Sequence, residues 1–262
     1  MKKINCDGII FDMDGVLIDV TNSCRLATRK TVNFYLKQTG LKTKATKQDV
    51  DAIKLIPGFN NDWDAAFVLY ELLAKGISRD NFEKRTKPLK PSVKQNLKYL
   101  LIRDIWQIFY LGNNEFERVE KREAFFENTK PLRFQEKLLI STDFLKQLIT
   151  RNIKLAIATS RPRQEALFAL RQFKLEEYFP KEYLIAQEDT PKEKPFPDPL
   201  IEAVKRMKVK NPIYVGDTIN DCLAAKKANI PSVYVGKESL GDYQIKNVNQ
   251  LMEVILWNNV KQ

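Results

Sequence analysis

The chain has 262 residues, 44% of them hydrophobic, which excludes a disordered polymer and allows one large domain or two modest ones. Its 44 Lys and Arg against 33 acidic residues give a net charge of +11, but the signs alternate, as in Glu115-Phe116-Glu117-Arg118-Val119-Glu120-Lys121-Arg122-Glu123, and describe solvated helix faces rather than a nucleic-acid surface. Histidine is absent altogether, which excludes a Ser-His-Asp triad, a Cys-His pair, a phosphohistidine and a His-ligated zinc, and leaves the chemistry to carboxylates, Lys, Tyr, Ser, Thr or Cys.

The first residues, Met1 to Asp7, run straight into a strand. They lack the apolar region and small-residue cleavage site of a signal peptide, so a cytoplasmic location is expected. No apolar run approaches the roughly 20 residues of a membrane span. Gly8-Ile9-Ile10-Phe11 reads as a short buried strand of a parallel sheet. From about Val20 to Glu127 apolar residues recur at helical spacing: Phe34, Leu36 and Leu41, then Ala66, Phe67, Tyr70, Leu72 and Leu73, then Leu97, Leu100, Leu101, Ile105, Ile108 and Phe109. This is a helical block. After Asn128-Thr129-Lys130-Pro131 strands and helices alternate. A helix starts near Ser141-Thr142-Asp143, and Lys154 to Ala158 is a buried strand ending at Thr159. Glu165 to Phe173 is an amphipathic helix, Tyr183 to Ala186 a short strand, and Pro199 to Met207 a helix. Ile213-Tyr214-Val215 is a strand ending at Gly216-Asp217, Asp221 to Ala228 a helix, and Ser232 to Val235 a strand. Leu251 to Leu256 is expected to close the chain as a helix. The three cysteines, Cys6, Cys24 and Cys222, are scattered and read as small hydrophobes in a reducing compartment.

This order predicts an α/β fold, a doubly wound parallel sheet, with an α-helical block spliced in after the first strand. Such sheets hold ligands at the carboxyl ends of their strands, near a topological switch point. Polar residues stand at those ends: Asp12 and Asp14, Thr159 and Ser160, and Asp217. Asp12 and Asp14, one residue apart at the mouth of an apolar strand, can sit beside one ion, and Gly15 permits a tight turn. Asp217 and Asp221 after another strand add carboxylates, and an all-oxygen set suits a hard cation such as magnesium. Asp221 can equally cap the helix that follows it. Thr159, with backbone N–H groups at a helix start, can hold phosphate oxygens. Lys194 lies in the proline-rich Glu193-Lys194-Pro195-Phe196-Pro197-Asp198-Pro199, with Lys192 a nearby competitor.

Asp12-x-Asp14-Gly15-Val16, then Thr159, then Lys194-Pro195, then Gly216-Asp217-Thr218-x-x-Asp221 resemble the four ordered motifs of the haloacid dehalogenase-like (HAD) superfamily, subfamily I. The resemblance implies a Rossmann-like core over residues 1–17 and 131–262 and a helical cap domain over 18–130. It implies a Mg2+-dependent phosphatase acting on a small anionic phosphomonoester. Asp12 would be the nucleophile and form an aspartyl-phosphate, and Asp14 the general acid and base. Thr159 would bind the phosphoryl group and Lys194 would offset charge. Asp217, Asp12, the backbone carbonyl of Asp14 and Asp221 would surround the metal. The second aspartate, Asp14, separates the chain from the dehalogenases of the superfamily, which lack it. Ser160 stands where related phosphatases often have Asn.

Within the cap, Lys54-Leu55-Ile56-Pro57-Gly58-Phe59-Asn60-Asn61-Asp62-Trp63 is the most distinctive segment and lies where related caps carry a specificity loop. Lys54, Asn60, Asn61, Asp62 and Trp63 are therefore candidate substrate contacts, with Ser160 and Arg161 of the core. The local alternative is that Asn61 or Asp62 caps the next helix and Trp63 packs in the cap interior. Other readings of the whole chain are a phosphomutase on the same scaffold, a phosphonatase using a cap Lys, and a non-catalytic binding protein. The substrate, the pathway and the oligomeric state are not encoded in any motif.

Overall fold

The computed structural model describes residues 3–87, 89–237 and 240–256. In chain order, β1 (Gly8–Phe11) and β2 (Ile18–Asp19) come first. They precede α1 (Cys24–Gln38), α2 (Lys47–Lys54), α3 (Asp62–Ala74), α4 (Phe82–Arg85), α5 (Pro91–Lys94), α6 (Leu97–Leu111) and α7 (Asn113–Glu120). Then come β3 (Lys137–Leu138), α8 (Thr142–Thr150), β4 (Lys154–Ala158), α9 (Arg163–Gln172) and β5 (Leu184–Ile185). The chain continues through α10 (Asp198–Met207), β6 (Pro212–Gly216), α11 (Ile219–Ala228), β7 (Ser232–Val235) and β8 (Tyr243–Ile245). It divides into two compact units, Met1–Asp19 with Lys137–Gln262, and Val20–Glu136.

The first unit is built on a six-stranded sheet in the order β5-β4-β1-β6-β7-β8, parallel throughout. Its strands are apolar on both faces because helices cover both. By the alternation of a strand, Ile10, Ala156, Ala158 and Tyr214 share one face, where they pack with Leu200, Ala203 and Met207 of α10 and Ala224 and Ala225 of α11. Ile9, Phe11, Leu155, Ile157, Ile213 and Val215 are buried on the other, where the Phe11 ring meets Phe179 edge-on at 6.0 Å. Phe11 is in register with Ile157 of β4 and Val215 of β6, so these three strands end side by side. From β1 the sheet grows one way to β4 and β5 and the other way to β6, β7 and β8. The carboxyl end of β1 therefore lies at the switch in strand order.

Several elements differ from the sequence expectation, the ribbon of β2 and β3 among them. The closing helix at Leu251 to Leu256 is instead a 3-10 turn, Val248–Glu253, after which Ile255 bridges to Ile4. Asn247 caps that turn, and the backbone pairing of Ile255 stops it from lengthening. The strand at Tyr183 to Ala186 shortens to Leu184–Ile185, with Tyr183 in a 3-10 turn before it. Tyr243–Ile245, unforeseen, adds an edge strand beside β7.

In the second unit α1, α3 and α6 pack against one another pairwise. Their buried faces carry Val32 and Leu36, Ala65, Ala66 and Leu69, and Ile102, Ile105 and Ile108. Several buried polar groups find partners there. The Trp106 indole donates to Thr28 Oγ1 at 3.1 Å, and Ser23 Oγ and Tyr110 Oη both donate to Glu136 Oε1. Among the described residues no helix is long and apolar enough to cross a membrane.

Candidate active site

The site begins where β1 runs out. Asp12 continues the ladder, its N–H donating to Val215 O at 2.8 Å, so its carboxylate leaves the sheet between β4 and β6. One oxygen, Oδ1, accepts the Met13 N–H at 2.8 Å and the Lys194 ammonium at 2.9 Å. Lys194 arrives from the loop ahead of α10 and is buried. Its Nζ also donates to Asp221 Oδ1 at 2.7 Å and to Tyr214 Oη at 2.8 Å. Tyr214 in turn donates to the same Asp221 oxygen at 2.6 Å. The other oxygen of Asp221 is held by the backbone and hydroxyl of Thr218, the N-cap of α11. Asp221 thus closes a capping box and anchors Lys194 at the same time.

Asp217 completes the cluster. One ligand atom each from Asp12, Asp217 and Asp221 lie within 4.8 Å of one another. Two glycines make room for these carboxylates. Gly15 sits at φ +78°, and a Cβ there would stand 1.9 Å from Asp217 Oδ2. A Cβ on Gly216 would stand 2.3 Å from the Asp221 Cβ. Both positions need glycine because a carboxylate-bearing residue occupies the space.

Electrostatics follow from this crowding. Burial pushes the Asp12 carboxyl well above its ordinary value, and the Asp221, Asp217 and Asp14 carboxylates push the same way against the pull of Lys194. Asp221 is held below its ordinary value: burial opposes its charge, but Lys194, Thr218 and Tyr214 outweigh that. Burial opposes the charge on Lys194 too, and Asp12 and Asp221 more than restore it, so its ammonium is raised. Burial and the facing Asp221 hold the Tyr214 phenol well above its ordinary value, so it stays a donor. Three carboxylates face one ammonium, all with hard oxygen donors. The set fits a divalent cation such as magnesium, which would supply the charge that Lys194 alone does not.

On the other flank, Thr159 follows β4 and its N–H donates to Ile185 O at 2.9 Å. Its hydroxyl accepts the Arg161 N–H at 3.1 Å. The Arg161 guanidinium reaches Asp14, with Nε and Nη2 at 2.8 and 2.6 Å from one oxygen, Oδ1. Ser160 lies half-buried between Thr159 and Arg161. The structure thus gathers Asp12, Asp217, Asp221 and Lys194 in one cluster and links Asp14 to Thr159 through Arg161.

Lys54, Asn61, Asp62 and Trp63 find partners within their own unit. Lys54 Nζ donates to Asn60 O and to Asp62 Oδ1, the latter at 3.0 Å, and buckles the loop between α2 and α3. Asn61 is the N-cap of α3, its Oδ1 accepting from Trp63 N and Asp64 N. Trp63 meets Trp106 edge-on at 6.4 Å, with the Arg103 guanidinium over its ring. Tyr214 escaped the sequence reading. Its signal was a phenol in a buried strand, whose hydroxyl must find a partner.

The model of the haloacid dehalogenase-like hydrolases matches residues 6–229. An imidazoleglycerol-phosphate dehydratase of Phytophthora nicotianae is 28% identical over 223 residues, 84% of this chain but only 41% of that protein, so the chain spans under half its length. A phosphorylated carbohydrates phosphatase of Thermotoga maritima is 27% identical over 238 residues, 90% of this chain and 88% of that one. Among solved structures, the phosphatase Tt82 from Thermococcus thioreducens superposes with a TM-score of 0.67 at 24% identity, covering 94% of this chain and 97% of that one, which speaks for the fold. The match over residues 6–229, together with the ordered carboxylates, Thr159 and Lys194 on a parallel sheet, shows that the chain belongs to the haloacid dehalogenase-like hydrolase family.

Proposed function

We propose that the protein is a magnesium-dependent phosphatase of a small-molecule phosphomonoester, working through an aspartyl-phosphate on Asp12. The observation that carries this reading is the buried Lys194 ammonium 2.9 Å from Asp12 Oδ1, beside the carboxylates of Asp217 and Asp221. Relatives named as phosphatases support the same class. A carboxylate oxygen of Asp12 attacks phosphorus as the ester P–O bond breaks. The departing oxygen takes the bonding electrons and a proton from Asp14. Water then attacks phosphorus, Asp14 takes its proton, and the Asp12–phosphorus bond breaks to release phosphate. Thr159 binds a phosphoryl oxygen. Lys194 offsets charge on Asp12 and on the phosphoryl group, which is the main demand of phosphoryl transfer. Asp12, Asp217, Asp221 and the backbone carbonyl of Asp14 would hold Mg2+, which when bound neutralises negative charge on the phosphate.

The test is release of inorganic phosphate from a panel of sugar, polyol and other small phosphate esters. Turnover is expected with magnesium, lost with a chelator and regained when magnesium returns. Asp12→Asn is expected to abolish it while the far-UV spectrum stays unchanged. A wild-type-like rate in that variant would sink the mechanism. A strict requirement for a bisphosphate, with phosphate returned to the product, would point to a phosphomutase instead.

A further inference from the structure

Arg161 is the residue whose surroundings the proposed chemistry leaves unexplained. Its side chain is 4% exposed, while that of its partner Asp14 is 29% exposed. A guanidinium open to an incoming anion would show the reverse. Its backbone is fixed on both sides: the N–H donates to Thr159 Oγ1, and the carbonyl accepts from Gln187 N at 3.0 Å. Pro162, next in the chain, restricts it further and opens α9. Nε and Nη2 both bond Oδ1 of Asp14. Oδ2 is therefore the oxygen left to face a substrate.

We propose that Arg161 is a positioning residue: it locks the plane of the Asp14 carboxylate, so that Oδ2 is aimed at the oxygen leaving phosphorus. The terminal torsion of an aspartate is broad and two-fold, so a carboxylate held only by its own rotamer samples many planes. A rigid two-hydrogen fork on one oxygen removes that freedom. Small misplacements of a group that transfers a proton cost large factors in rate. Arg161 thus contributes to the step in which the ester oxygen departs, without touching substrate.

This assignment rests on the phosphatase reading, and the leaving group separates the two. An alkoxide must be protonated as it departs, whereas a 2,4-dinitrophenolate leaves without help. Arg161→Ala is therefore expected to lower kcat/KM, which reports only the steps up to loss of the leaving group and not the later attack of water, about 100-fold on an alkyl phosphate and less than about 3-fold on 2,4-dinitrophenyl phosphate. Asp14→Asn is expected to give the same asymmetry, more steeply. Arg161→Lys keeps the charge but offers one rotatable ammonium in place of the rigid fork, and should recover part of the alkyl phosphate kcat/KM. Equal losses of kcat/KM across the leaving groups would overturn the role of Arg161 while the wild type still turns over. Absence of phosphate release by the wild type from every ester would overturn the phosphatase reading, and this assignment with it.

Discussion

At the scale of single residues, the tightest constraint is Gly15. Its positive φ is disfavoured for any L-side chain, and a Cβ would overlap the Asp217 carboxylate. Gly15→Ala is expected to cost about 1–3 kcal/mol in a denaturant melt and to displace Asp217, so that the rise in melting temperature with magnesium that the proposed metal site predicts for the wild type is lost. Lys194 is the next constraint. Its removal leaves Asp12 and Asp221 buried without their shared cation, so Lys194→Ala is expected to cost about 3–5 kcal/mol as well as activity. Cys6 and Cys222 make a quieter case. Burial, helped by Asp7 beside one and Asp221 beside the other, pushes both thiols up to about 12. Few thiolates exist at pH 8, so iodoacetamide should label these two only as the protein unfolds. The carboxylates of the site were legible in the sequence because each follows a short apolar strand. The Arg161–Asp14 pair was not, because its partners are 147 positions apart and only the sheet register brings them together.

At the scale of elements, polar clasps decide how loops join helices. Asp189 is one. It accepts from Ala186 N at 2.7 Å, pairs with Arg163 at the start of α9 and lies 3.4 Å from Arg206 in α10. Burial opposes its charge, but the Ala186 hydrogen bond and the two guanidiniums hold its carboxyl below the ordinary value. A carboxyl lowered on folding stabilises the fold above its unfolded-state value, and that contribution fades as pH falls through the folded-state value. Asp189→Asn is therefore expected to lower stability by about 1–2 kcal/mol at neutral pH, with the gap to wild type closing under acid. Parallel thermal melts across pH read both effects. In the second unit, Asn61→Ala should cost about 1 kcal/mol through the lost cap of α3, and Asn61→Ser should restore most of it. The long helices were legible through their period, as with α6, and β4 through its unbroken apolar run. The strands β2 and β3 and the closing 3-10 turn were not, because such short stretches carry no period.

At the scale of the whole molecule, the seams are the informative feature. The sequence placed them at 17/18 and 130/131, where composition changes. In the structure the units divide after Asp19 and after Glu136. The shift has a cause: Ile18 pairs with Leu138 and Asp19 with Lys137 as an antiparallel ribbon, which belongs to the sheet unit although its residues look like linker. Such a ribbon is a hairpin whose turn happens to be the entire stretch Val20–Glu136. Joining Asp19 to Lys137 through an Asn-Gly turn is therefore expected to yield a shortened protein that still melts cooperatively. Loss of a cooperative transition would mean that the sheet depends on the removed stretch. If the transition survives, the ribbon is a socket. One helical payload could be drawn out and another seated on the same two strands, without altering a residue around Asp12.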